Sequence, residues 1–316
     1  MTARAVIDRA GAALGLVAVA IVFGVLVGPR FFEAANLDLM ARQTAIVCMA
    51  AIGMTVVIVA GGIDLSVGSV IALSTVVIAL LLRSGAGPAA AALGGVLAGT
   101  ACGLVNGALI TALNVVPFIV TLGTMLVVRG VAKGLADERR IEAPLTWLNG
   151  LLRAPDSPAR LPAGIWLVIV LAVMVAGVLQ FTRFGRHVFA IGSNARMARL
   201  CGVAIGRANV AVYSIAGLFA GLAGLLQFSR LSVGDPTVAV GLELDVIAAV
   251  IIGGGSLAGG RGTIAGTVIG AAIMTIIQIG CSQKGLATWV QQIVTGGIIV
   301  TAVALDRVRV RRAAAE

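Results

Sequence analysis

Lysine is almost missing from this chain. Lys133 and Lys284 are the only two among 316 residues, and neither is followed by Ser or Thr. A phosphate-binding loop ending in Lys-Ser or Lys-Thr is therefore excluded, and with it nucleotide hydrolysis by that route. His187 is the single histidine, which removes His-based metal clusters and most Ser/His or Cys/His catalytic pairs. Cys48, Cys102, Cys201 and Cys281 show no CxxC spacing; they read as buried free thiols rather than as a disulfide framework or zinc site. One tyrosine and three tryptophans leave no basic stripe interleaved with aromatics, so the formal charge of +10 does not point to nucleic acid.

What is present is apolar. Hydrophobic residues make up 59% of the chain and charged ones 11%, against roughly 25% charged in an ordinary soluble domain. The expected class is an all-α polytopic membrane protein, one transmembrane domain over 1–316. Apolar windows predict about ten spans, near 11–28, 43–60, 66–82, 89–113, 117–135, 162–181, 208–229, 241–254, 262–281 and 289–305. The first follows Arg4 and Arg9 and precedes Pro29, Arg30 and two phenylalanines with no A-x-A site, so it is expected to be a retained span. An even number of spans places both termini on one side. Arg307, Arg309, Arg311 and Arg312 in the tail, and five arginines with no acid over 183–207, assign that side to the cytoplasm. The 129–160 connection mixes bases with Asp137, Glu138, Glu142 and Asp156. Prolines at 144, 155, 158 and 162 interrupt it, and it reads as a long, partly irregular external connection.

GGIDLSVGS at 61–69 sits between two such spans. A carboxylate at membrane depth costs roughly 2.5 to 3.5 kcal/mol on insertion scales, and glycine pairs loosen a backbone that lipid would otherwise hold helical. Gly61, Gly62, Asp64, Ser66 and Gly68 are therefore read as a helix break. Asp64 either caps the next span, accepting backbone hydrogen bonds at the positive helix end, or contacts a passing solute. Glu243 and Asp245 are expected to begin the eighth span as Asp64 begins the third. GGGSLAGGR at 253–261 aligns with the first break through Gly61 with Gly253, Gly62 with Gly254, Leu65 with Leu257 and Gly68 with Gly260. Ser256 then stands where Asp64 stands. IVTLG at 119 also resembles IVTGG at 293. Two related halves, about 40–135 and 208–305, are expected. The two anchors differ in offset by roughly one span, so parallel and inverted relations stay open.

Between Asn194 and Gly202 the arginine-rich segment has the small and basic composition of a short surface helix closed by glycine. It could dock a partner, or be a solvated loop whose arginines set orientation. Asn106, Phe118, Thr121, Gln278, Trp289, Gln291 and Gln292 are amide, hydroxyl and aromatic groups at spans, candidates to line a route through the protein; the alternative for each is an interhelical contact.

GGIDLSVGS, VPFIVTLGTM at 116, FGRHVFAIGSNARMARLCGV at 184, GLELDVIAAVIIGGGSLAGGRGT at 241 and WVQQIVTGGIIV at 289, in that order, resemble the permease subunits of bacterial ABC importers for monosaccharides, the ribose, xylose, arabinose and galactose group. The resemblance implies a type II ABC importer permease architecture in the inner membrane, with this chain non-catalytic. It would pair with a second copy or a paralogue. Cytoplasmic ATP-binding subunits that use ATP and Mg would drive it, and a periplasmic sugar-binding protein would feed it; cofactors and metal in this chain itself are expected to be none. It also implies a coupling loop over 183–207 with a Glu-Ala-Ala, three residues, Gly pattern. Here Ala198 and Gly202 keep that pattern, Arg196 and Met197 replace the usual Glu and Ala, and Arg199 adds a further base. An ion-coupled secondary transporter is the rival from another class. It would usually carry more than one intramembrane ionisable group, and the sequence offers Asp64 with little beside it.

Overall fold

The structure is a computed structural model that describes residues 3–153 and 161–315. Pro155, Asp156, Pro158 and Arg160 of the 129–160 connection lie outside them. The described residues form eleven helices: α1 (Ala3–Val27), α2 (Ala34–Val59), α3 (Val67–Arg83), α4 (Pro88–Leu113), α5 (Pro117–Leu135), α6 (Ala163–Phe181), α7 (Arg183–Leu200), α8 (Ile205–Leu231), α9 (Leu242–Ile252), α10 (Ile264–Gln283) and α11 (Thr288–Ala315). Two short strands, β1 (Ile141–Glu142) and β2 (Val233–Gly234), pair antiparallel.

Every predicted window holds a helix, but six of them, α2, α4, α5, α6, α8 and α10, are long and apolar enough to cross a bilayer on those grounds alone. The eighth window yields only α9, whose 11 residues rise about 16 Å at 1.5 Å each, well short of about 30 Å of hydrocarbon. Proline sets two of the helix starts. Pro88 and Pro117 occupy first turns, where the missing N–H is no loss, and Asn114 in the left-handed region ends α4 between them.

Helix α2 is the axis of the fold. All residues over 45–59 are buried, because α8, α10, α9 and α6 pack around it; a helix apolar on every side belongs in the interior of a bundle. Thr55 Oγ1 and Thr267 Oγ1 meet at 2.7 Å between α2 and α10. Helix α4 lies along α8 through glycines spaced four apart, Gly95, Gly99, Gly103 and Gly107, so that backbones touch. A Cβ on Gly99 would stand 2.7 Å from the Gly217 carbonyl oxygen, and one on Gly103 2.9 Å from the Gly217 Cα. This is the small-residue packing that brings helices together without help from water. Helices α5 and α6 flank the bundle with few buried residues, leaving Leu126, Val127, Val173 and Met174 exposed for lipid or a second chain.

The described part of the connection after α5, up to residue 153, is held by specific contacts. Thr146 caps a short turn over Trp147–Gly150, Leu148 is fully buried, and Leu152 N–H donates to Ser229 Oγ at 3.0 Å. Arg140 Nε donates to Asp235 Oδ2 at 2.9 Å, next to the β1–β2 pair. Asp235 is buried, and burial by itself would raise its pKa. Hydrogen bonds from the Thr237 side chain and N–H, together with the Arg140 charge, outweigh that and hold the carboxyl below the usual carboxylate range.

Candidate functional site

Helix α2 ends on a Schellman-type cap: Gly61 N–H donates to Ile58 O and Gly62 N–H to Val57 O, both at 2.9 Å, with Gly61 at φ +84°. The chain then turns over Asp64. Its Oδ1 accepts from Ser66 N–H at 2.8 Å and from Ser66 Oγ at 2.6 Å, and α3 starts at Val67. Asp64 thus forms an Asx turn one step ahead of the helix, with 2% exposure, rather than capping its first turn. The carbonyl of Ile63, left without a helical partner, accepts from Thr121 Oγ1 at 3.2 Å and from Tyr213 Oη at 3.4 Å. An open helix end in a membrane needs such donors.

The second break repeats this chemistry with one residue fewer. Gly254 N–H donates to Ile251 O and Gly255 N–H to Val250 O, both at 2.9 Å, and Gly254 has φ +91°. The cap glycine matching Gly61 is therefore Gly254, one position later than the sequence alignment gives, because no residue stands where Ile63 does. Gly253 instead lies where α9 and α10 cross, against Gly266. After the cap, Ser256 plays the part of Asp64: Ala258 N–H donates to Ser256 Oγ at 3.4 Å. The missing carboxylate comes from elsewhere, since Ser256 Oγ donates to Asp306 Oδ2 of α11 at 3.0 Å.

The arginine-rich segment is one element with a joint in it. Helix α7 runs from Thr182, whose Oγ1 accepts from Gly185 N–H at 3.2 Å, and is interrupted at Asn194, where φ is −161° and ψ 99°. Asn194 Oδ1 accepts from Met197 N–H at 3.1 Å, an N-cap for a new short helix. Val203 N–H closes that helix onto Ala198 O at 3.0 Å, with Gly202 at φ +83°. Arg196, Met197 and Arg199 are exposed on it and Ala198 is buried. Cys201, expected among buried thiols, is exposed at its end, while Cys48 and Cys281 are buried and Cys102 partly so. A cavity of about 350 Å³ opens between Gly61, Gly62, Gly192, Asn194, Asn209 and Tyr213.

The expected route residues separate into two groups. Asn106 and Thr121 are buried and brace the first break, Asn106 Nδ2 donating to Ser66 Oγ at 2.9 Å. Gln278 is half-buried and donates to Asp245 Oδ2 at 2.5 Å. Asp245 is thereby committed to α10 and does not cap α9, contrary to the sequence expectation; Glu243, two residues earlier, accepts from Gly241 N–H at 3.2 Å. Phe118, Trp289 and Gln292 are exposed, and Gln291, half-buried, donates to Leu286 O at 2.8 Å. Sequence reasoning passed over Tyr213, the glycines of α4 and α8, and Gly192. The four-residue spacing of 95, 99, 103 and 107 was a readable signal for the glycines; nothing local marks Tyr213.

Residues 36–303 match the family described as branched-chain amino acid transport system / permease component. The chain belongs to that family. The permease is 39% identical over 302 residues to the ribose import permease protein RbsC of Bacillus subtilis, covering 96% of this chain and 94% of that protein. It is 37% identical over 280 residues to the Escherichia coli K12 protein of the same name, covering 88% and 87%. The D-allose transport system permease protein AlsC of Escherichia coli K12 is 35% identical over 306 residues, covering 95% and 92%. No solved structure matches the chain. These relatives are permease components of transport systems, not enzymes. The expected resemblance to ABC sugar permeases thus holds over nearly the full length.

Proposed function

We propose that this permease is the transmembrane subunit of an ATP-driven importer that moves a monosaccharide across the bacterial inner membrane. The observation that carries the reading is its end-to-end similarity to ribose and allose permeases. The helix over 195–200, capped by Asn194 and closed at Gly202, supports it as the docking element for a cytoplasmic ATPase subunit. Arg196, Met197, Ala198, Arg199 and Gly202 make that contact. With Arg196 where the family pattern has an acid, the matching surface of the ATPase is acidic.

In this reading ten passages arranged as two related halves, the eighth made by short α9 together with the non-helical break that follows it, leave both termini in the cytoplasm. A second copy or a paralogue completes the pathway, a periplasmic sugar-binding protein delivers the cargo, and ATP and Mg act on the ATPase alone. Phe118, Trp289, Gln291 and Gln292 supply the aromatic and amide groups of the route. Tight binding along it is not wanted, since a site that holds its cargo strongly cannot release it, so selectivity rests with the binding protein.

One observation favours an ion-coupled carrier: Asp245 is buried with Asp64, giving the chain a second carboxylate inside its helices. Both, however, are held by hydrogen bonds, Asp64 from Ser66 and Asp245 from Gln278 of α10. Proteoliposome uptake decides between the two. Sugar accumulation is expected only with the permease, its ATPase, its binding protein and ATP together; uptake by the purified permease alone, driven by a proton or sodium gradient, would refute the importer reading.

A further inference from the structure

Two helix breaks and one kinked helix meet at a single point, and they meet backbone to backbone. Gly260 N–H, in the second break, donates to Val59 O at the end of α2 at 2.9 Å, so the second break is hydrogen-bonded to the helix end that opens into the first. Gly192 of α7 is wedged against this bond. A Cβ there would overlap the Val59 carbonyl oxygen and stand 2.5 Å from Gly260 N. Gly259 closes the third side: its Cβ would stand 2.6 Å from Gly192 O and 2.9 Å from the Gly61 Cα. No side chain fits between the three strands of backbone, and none is available to give way.

The hinge of α7 lies two residues further on, at Asn194. On its N-terminal side the helix over 195–200 joins this junction through Ser193 and Asn194, both exposed. Beside the junction, the 350 Å³ cavity lined by Gly61, Gly192, Ser193, Asn194 and Tyr213 gives the contact room to move. Packed backbones transmit displacement because interiors are close to incompressible.

We infer that Gly192 is a positioning residue for transport. A displacement of the 195–202 docking element is delivered through the Asn194 hinge to Gly192, and from there to both helix breaks at once. The two breaks consequently change together rather than in sequence. This rests on the importer reading, and it assigns to one glycine the link between the ATPase contact and the pathway.

The test uses the reconstituted complex of permease, ATPase and binding protein, with sugar uptake and ATP hydrolysis measured in the same vesicles. Gly192→Ala is expected to keep hydrolysis within about twofold of the parent and to lower uptake per ATP at least tenfold. Gly177→Ala, with open space around its α-carbon, is expected to change neither. Asn194→Ala, at an exposed position that folding tolerates, removes the hinge cap and is expected to lower uptake per ATP in the same way, with Asn194→Ser restoring it. Unchanged uptake per ATP in Gly192→Ala overturns the inference, and so does a parallel fall of hydrolysis and uptake, which marks a merely structural role. If Gly192→Ala fails to insert, the Asn194 pair decides by the same criteria. A parent complex that takes up no sugar with ATP instead defeats the importer reading itself.

Discussion

Asn106 of α4 donates its amide to Ser66 Oγ, and Ser66 Oγ donates in turn to Asp64, so the first break is fastened to a helix 40 residues away. The two ends of this relay differ in what their loss leaves behind. Asp64→Ala strips the acceptor from both the N–H and the hydroxyl of buried Ser66, a loss of about 1 to 3 kcal/mol. Asn106→Ala removes one neutral bond, worth about 1 kcal/mol, and also an amide oxygen that has no donor. In detergent, the melting temperature of Asp64→Ala is expected to fall further than that of Asn106→Ala. The reverse order would contradict the relay.

Gly103 tests the seam between α4 and α8. A leucine there would drive its Cβ into the Tyr213 carbonyl and the Gly217 backbone, and overpacking of a close contact costs about 1 to 3 kcal/mol or more. Gly103→Leu is expected to abolish monodisperse protein on size-exclusion chromatography. Gly123→Leu, on α5 with nothing near its α-carbon, should behave as the parent.

The carboxyl of Asp235 predicts an acid response. Its folded pKa is depressed below the unfolded value, so the stability it contributes is present above the unfolded pKa of about 3.9 and is lost as pH falls through the lower folded value. The parent is therefore expected to melt above Asp235→Asn at pH 7, with the gap closing toward pH 3. Arg140→Gln removes one of the depressing interactions and should give a smaller gap of the same form. A gap that widens with acidification would rule this out.

Cys201 ends the short helix and is exposed, while Cys48 and Cys281 are buried. A membrane-impermeant maleimide is expected to label the permease at Cys201 in inside-out vesicles and to leave it unlabelled in right-side-out ones. Cys48 and Cys281 should react only after denaturation. Labelling of Cys201 from the periplasmic side would invert the proposed topology.

Hydropathy located the helices because each span carries its own apolar signal, and glycines located the joints: the stop at Gly202 and the position of the first break were readable in the sequence, whereas the Asx-turn role of Asp64 was not. Long-range partners were not. Ser256 looked like a plain substitute for Asp64, and only packing brings Asp306 to it from 50 residues on. Asp245 looked like a helix cap by position, yet its geometry is set by Gln278 on the next helix. The two repeat anchors disagreed by about one span, and two helices, α3 and α4, separate the first break from α5 where α10 alone separates the second from α11. The connection after α5 read as irregular because its order depends on β2, Ser229 and Asp235, all distant in sequence.

The carboxylate reaching Ser256 from α11 makes the two breaks unequal in kind. At 61–69 the acid and the hydroxyl that it holds are neighbours in the chain, so that turn persists wherever the helices go. At 253–261 the acid belongs to a different helix, and any sliding of α11 detaches it. The first break is a fixture of its own segment; the second is a latch.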